Sequence, residues 1–170
     1  SSIFLKINCI RIKMKRADFS EYKRNVADRF SKILVSAKKG TYDDQALPAY
    51  TNSNKLMNWL FWERVRVVIN YLDNVHRIGK VLDFGCGLGV MLPYLNQRAC
   101  SVLAVDLEIS MVERIGKSEN WLNVVYANDL NDLIQIHRGT LDFILAMDVL
   151  EHIDNLEDIL SLFMILIKDS

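Results

Sequence analysis

The stretch Val81-Leu82-Asp83-Phe84-Gly85-Cys86-Gly87-Leu88-Gly89 is an apolar strand running into three glycines at alternate positions. Lacking a Cβ, these glycines let the backbone turn sharply and leave bare peptide N–H groups for a ligand at the N-terminus of a following helix. That is the pattern of a nucleotide-type cofactor loop, and its spacing narrows the choice. A dinucleotide fingerprint, G-x-G-x-x-G, wants its third glycine at position 90, where the chain has Val90, so NAD is disfavoured. No Lys-Ser or Lys-Thr follows, which removes the phosphate loop of the nucleoside triphosphatases.

Downstream of the loop the pattern alternates between short apolar runs and helical periodicity, the signature of a parallel sheet covered by helices. Strand one is expected at Lys80–Phe84 with a helix at Val90–Gln97, and strand two at Ser101–Val105 with a helix at Ile109–Lys117. Strand three follows at Asn123–Tyr126 with a short helix near Asn131–Ile136, and strand four at Leu141–Ala146 with a helix at Asn155–Ile167. The fold class is therefore α/β, a Rossmann-like parallel sheet with helices on both faces. Right-handed crossovers would bring the carboxyl ends of all four strands to one edge, where open sheets of this kind bind ligands.

Upstream, Phe19, Tyr22, Val26, Phe30, Ile33, Leu34 and Ala37 recur at three- and four-residue steps, giving one apolar stripe on a helix over Asp18–Lys38. Thr41–Asn54 reads as a loop, with Asn52 or Ser53 as candidate caps for a second helix over Asn54–Leu72. Trp59 and Trp62 broaden that helix's apolar face; they either pack in a core or join Tyr50 in roofing a ligand pocket. The organisation expected is a lead over 1–16, which is a tag or disordered, an N-terminal helical lid over 17–78, and an α/β cofactor domain over 79–170. The chain as given ends where a turn into a fifth strand would come, leaving strand four as an edge.

Composition bounds the class. Half the 170 residues are apolar, enough for one sizeable core, yet no run of about 18 apolar residues would span a bilayer. Three cysteines, Cys9, Cys86 and Cys100, form no CxxC pair, so neither a zinc knuckle nor a disulfide framework is suggested and a reducing, cytoplasmic setting is expected. Zero net charge hides an asymmetry: residues 1–40 carry 11 Lys/Arg against 3 Asp/Glu, and residues 41–170 carry 10 against 18. Such a basic arm is either a solvated helix face or a surface for phosphates.

Polar chemistry gathers at the strand ends. Asp106 closes strand two about twenty residues past the glycines, where a carboxylate would hold the ribose hydroxyls of a nucleoside. Asp129 follows strand three, placed either to accept from an exocyclic amine such as that of adenine or simply to cap a turn. Met147 and Asp148 follow strand four, ahead of Glu151 and His152.

Together these segments resemble the class I S-adenosylmethionine-dependent methyltransferases, in the broad group that includes the ubiquinone-pathway O-methyltransferases. VLDFGCGLG, VLAVDLEISM, YANDL and LDFILAMDVLEHI are similar to four of that family's motifs, in the family's order, over roughly Lys80 to Ile167. The resemblance implies that Asp83 and the Gly85-Cys86-Gly87 backbone face the methionine part of S-adenosylmethionine and that Asp106 takes both ribose hydroxyls. It places Leu107 and Met111 on the adenine side, Asp129 and Leu130 at the adenine amine and ring, and Met147 among the cofactor contacts. The family often has Ser two residues after the ribose Asp; Glu108 stands there, at a position that need not touch the ligand.

The implied activity is methyl transfer to an O or N atom of a small molecule. His152 is the candidate base, since an unperturbed imidazole titrates near neutrality. In some relatives this segment helps hold a divalent cation, for which Asp148, Glu151 and His152 would have to converge. Two alternatives stand beside this reading: an RNA-directed methyltransferase, from the basic first 40 residues, and a methyltransferase-like module that binds without catalysis.

Overall fold

The computed structural model describes residues 16–36 and 54–169. Elements follow in the order α1 (Arg16–Ser36), α2 (Lys55–Asn74), β1 (Ile78–Phe84), α3 (Leu92–Arg98), β2 (Ala99–Val105), α4 (Ser110–Ser118), β3 (Val124–Ala127), α5 (Asn131–His137), β4 (Phe143–Ala146) and α6 (Leu156–Leu166), with a 3₁₀ turn at Leu150–His152 before α6. The lead expected over 1–16 lies almost wholly outside the described residues, as do Tyr50, Asn52 and Ser53.

The four strands are all parallel in the order β3-β2-β1-β4. Strand order therefore reverses at β1, which pairs with β2 on one side and β4 on the other, and this switch opens a crevice beyond the carboxyl ends of the strands. Both faces are covered, so β1 and β2 read as continuous apolar runs rather than alternating ones. Val81, Val102 and Ala104 point into a core with Val65, Ile69 and Leu72 of α2, Leu92 and Leu95 of α3 and Val112 of α4. Leu82, Leu103 and Val105 point the other way, onto Leu133 of α5 and Leu166 of α6.

Element boundaries moved for identifiable reasons. The helix expected from Val90 starts at Leu92, because Gly85, Gly87 and Gly89 hold φ of +71°, +53° and +80° and Pro93, lacking an N–H, fits only a first turn. α2 is capped by Asn54 itself, whose Oδ1 accepts from the N–H groups of Leu56 at 3.0 Å and Met57 at 3.3 Å. Replacing Asn54 with Ala should lower unfolding stability by about 1 kcal/mol with no change in fold, read from denaturant midpoints at constant slope. Strand four is shorter than expected: Leu141 forms a parallel bridge with Ile167, and every residue of β4 is half-buried, as suits an edge.

α1 is pinned at both ends of its stripe. Val26 and Phe30 are buried in the core, the Tyr22 hydroxyl donates to the Val90 carbonyl beside the glycine loop, and Arg29 forms a two-pronged pair with Glu119 while lying 5.2 Å over Trp121. The helix is thereby tied to the glycine loop through Tyr22 and to the connection between α4 and β3 through Arg29. Cys86 is a buried free thiol. Among the described residues no helix is long and apolar enough to cross a membrane.

Candidate functional site

A cleft of about 960 Å³ lies at the carboxyl edge of the sheet, where β1, β2 and β4 deliver their loops. Its floor is the glycine loop. Gly85 and Cys86 donate their N–H groups to the Val105 carbonyl, at 2.8 and 3.1 Å, which ties the loop to the end of β2. A Cβ on Gly85 would meet the Val149 side chain at 2.5 Å, so the chain after β4 packs against bare backbone there. The Gly85→Ala variant combines that overlap with a left-handed φ; it should lose roughly 2 kcal/mol of stability, read by thermal melting, and displace the loop after β4.

Asp106 stands at the end of β2 with both carboxylate oxygens oriented by backbone. Oδ2 accepts from Gly87 N–H at 2.7 Å and Oδ1 from Glu108 N–H at 3.3 Å. Each oxygen carries two lone pairs, so each can still accept from a ligand hydroxyl. Glu108 turns away to serve α4, its Oε1 accepting from Ser110 N–H at 2.9 Å. Beside Asp106, Leu107 lines the cleft while 92% exposed, an apolar side chain with nothing yet against it. Asp83, near the end of β1, is only 4% exposed and sits between Ala104 and Leu145 of the flanking strands. Burial, reinforced by the charge on Asp106, pushes its carboxyl up to about 7. The same burial raises the Cys86 thiol well above its ordinary value, which keeps it uncharged.

The opposite wall comes from the chain after β4 and from the N-terminal helices. Asp148 holds a left-handed φ of +54°, unusual outside glycine, and pairs through Oδ1 with Arg64 Nη1 from α2, whose guanidinium also lies 5.0 Å over the Phe61 ring. Asp148 Oδ2 is shut off from solvent and has no hydrogen-bond partner. Glu151 and His152, both exposed, line the cleft from the 3₁₀ turn. Among the described residues no three His, Cys, Asp or Glu side chains are grouped to hold a metal ion. The convergence of Asp148, Glu151 and His152 that a divalent cation would need is therefore not formed.

Of the residues singled out in the sequence, Asp83, Gly85, Cys86, Gly87, Asp106, Leu107, Asp129, Leu130, Met147 and His152 all line this one cleft. Met111 does not; it is half-buried against the core from the first turn of α4. Asp129 lines the cleft with one oxygen committed to the local turn, Oδ1 accepting from Asn131 N–H at 2.8 Å. Trp59 and Trp62 line a separate groove of about 430 Å³ between α1 and α2, so they do not roof the cleft. What the sequence did not reveal is the contribution of Phe30, Phe61 and Arg64. The two phenylalanines sat on recognised apolar stripes, but nothing local says which stripe positions reach past the core, and Arg64 finds its partner 84 residues away.

The model of a family described as a methyltransferase domain matches residues 14–170. The chain belongs to this methyltransferase domain family. Among curated proteins, this methyltransferase chain is similar to the ubiquinone biosynthesis O-methyltransferase of Acinetobacter baylyi, 27% identical over 108 residues that cover 59% of this chain and 45% of the relative. The corresponding enzyme of Xanthomonas axonopodis pv. citri is 32% identical over 77 residues, 44% of this chain and 32% of the relative. The chain thus spans less than half the length of the curated relatives it matches. Its fold is similar to that of phosphoethanolamine N-methyltransferase 1 from Haemonchus contortus, solved with phosphoethanolamine and S-adenosylhomocysteine, at a TM-score of 0.57 and 15% identity, covering 91% of this chain and 31% of that one. Coclaurine N-methyltransferase, solved with N-methylheliamine and S-adenosylhomocysteine, gives a TM-score of 0.52 at 19% identity, covering 89% and 56%.

Proposed function

We propose that the cleft binds S-adenosylmethionine and that the protein transfers its methyl group to an oxygen or nitrogen of a small molecule. The observation that carries this reading is Asp106: a carboxylate fixed by two backbone N–H groups at the strand-two rim, one of them from the glycine loop, with lone pairs left for a pair of vicinal hydroxyls. The donor set suits the ligand. Leu107 and Leu130 offer apolar surface for a purine, Asp129 offers a carboxylate to an exocyclic amine, and Asp83 sits under the loop where a cationic group would favour its charged form.

S-adenosylmethionine held there by Asp106 and the glycine loop would supply an electrophilic methyl group on a sulfonium for an acceptor oxygen or nitrogen, with S-adenosylhomocysteine as the leaving thioether. The residues of this chain align and desolvate that meeting. Phe30 and Phe61 from α1 and α2 wall the cleft, giving the N-terminal helices the role of a lid that excludes water. His152, which lines the cleft from the 3₁₀ turn, would take a proton from an acceptor hydroxyl and pass it to solvent.

Calorimetric titration with S-adenosylhomocysteine, NAD and a short RNA tests the reading and its rivals together. Micromolar binding of S-adenosylhomocysteine alone supports it; preference for NAD, or RNA binding that weakens steeply with salt, would replace it. The cleft's many carboxylates already weigh against an RNA strand as occupant.

A further inference from the structure

Five side chains lining the cleft are carboxylates, Asp83, Asp106, Asp129, Asp148 and Glu151, against a single guanidinium, Arg64. The first three lie on the side given above to the cofactor. Asp148 and Arg64 lie on the other side, with the apolar surfaces of Phe61 and Ile153 about them. Their pairing has three features that belong together. It is one-pronged, although guanidinium and carboxylate can match two-pronged. It leaves Asp148 Oδ2 covered and without a partner, at a cost a stable structural pair would avoid. It is built on a residue at φ +54°, a left-handed backbone that aspartate adopts more readily than most residues and that turns its carboxylate toward α2.

Arg64, by contrast, is half in solvent: its side chain is 54% exposed while that of Asp148 is 15% exposed. The guanidinium can swing outward at little expense, and the carboxylate cannot. We infer that Arg64 is a placeholder on Asp148, and that the methyl acceptor displaces it by presenting an O–H or N–H donor, so the site takes neutral or cationic acceptors with an apolar body and rejects anionic ones. This rests on the methyltransferase reading of the same cleft. Asp148 would bind the acceptor directly: a donor taking the place of Arg64 on Oδ1 would fix the acceptor's polar group beside the glycine loop, against which Val149 already packs.

A matched series separates the possibilities. Toluene-sized probes carrying a cationic donor (benzylamine), a neutral donor (benzyl alcohol) or an anion without a donor (benzoate) are titrated into the full chain saturated with S-adenosylhomocysteine, followed by NMR shifts of cleft residues. Benzylamine and benzyl alcohol are expected to bind at least about tenfold better than benzoate, the worth of one charge-assisted hydrogen bond. Asp148→Asn, which tolerates the left-handed backbone as Asp does, should collapse that preference. Arg64→Ala should move the other way and tighten benzylamine several-fold by removing its competitor. Benzoate binding as well as benzylamine, a preference that survives in Asp148→Asn, looser benzylamine binding in Arg64→Ala, or no binding by any probe would each overturn the inference. Affinity for S-adenosylhomocysteine, read in the same samples, reports separately on the cofactor half, so a failure there is told apart from a failure at Asp148.

Discussion

Replacing Asp106 with alanine should weaken S-adenosylhomocysteine binding by at least about a hundredfold, roughly 3 kcal/mol, the loss expected when two hydroxyls lose a charged acceptor. The substitution also removes the acceptor for the Gly87 N–H, so part of the loss would come from a looser loop. Asp106→Asn distinguishes the two contributions. An amide keeps one carbonyl oxygen for the Gly87 N–H but turns a donor toward the Glu108 N–H and the second hydroxyl, so it should lower the melting temperature less than alanine does and lose about tenfold in affinity. If both variants bind like the parent, the ribose assignment is wrong.

The second large effect concerns Asp83 and has a definite sign. Its carboxyl ionises near the ordinary 3.8 in the unfolded chain but only at about 7 in the folded one, because burial and the neighbouring Asp106 charge disfavour the anion. Between those values the folded protein binds more protons than the unfolded one, so stability should fall as pH rises from about 4 to 7 and level off above. The span amounts to about 4 kcal/mol. Asp83→Asn removes the dependence and should melt at higher temperature than the parent at pH 8, while the two converge at pH 4. A cationic ligand reverses the balance by favouring the Asp83 anion, so S-adenosylmethionine should bind more tightly as pH rises through 7, and S-adenosylhomocysteine, which lacks the sulfonium, should respond less. Melting curves from pH 4 to 8, with and without each ligand, check both statements. A flat profile for the parent would contradict them.

Most of the fold was legible because its signals are local. Apolar runs of β-strand length, helical stripes and three glycines in a row of turns each declare themselves within ten residues, and the order of four strand-end motifs carried the topology. The gathering of Asp106 and Asp129 in one cleft was legible for the same reason: both lie at strand ends, and parallel strands bring those ends to one edge. Met111, named through the family resemblance rather than from a strand end, sits half-buried against the core on the first turn of α4, a matter of helix phase. The opposite wall was hidden. Arg64 sits on α2, 84 residues before its partner Asp148, and the left-handed backbone of Asp148 after β4 is not signalled by any local pattern. The cap on α2 fell to Asn54 rather than to a neighbour because capping depends on which side chain reaches the free N–H groups, and Asn54 is the one that bonds Leu56 and Met57.

The central claim is that Asp106 and the glycine loop hold the nucleoside of the methyl donor, and the most direct measurement is a crystal structure of this chain with S-adenosylhomocysteine. The expected result is a ligand in the cleft with both ribose hydroxyls within hydrogen-bonding distance of the Asp106 carboxylate, its purine against Leu107 and Leu130, and its thioether beside Gly85. A ligand seated elsewhere, or one whose ribose hydroxyls face away from Asp106, would contradict the account.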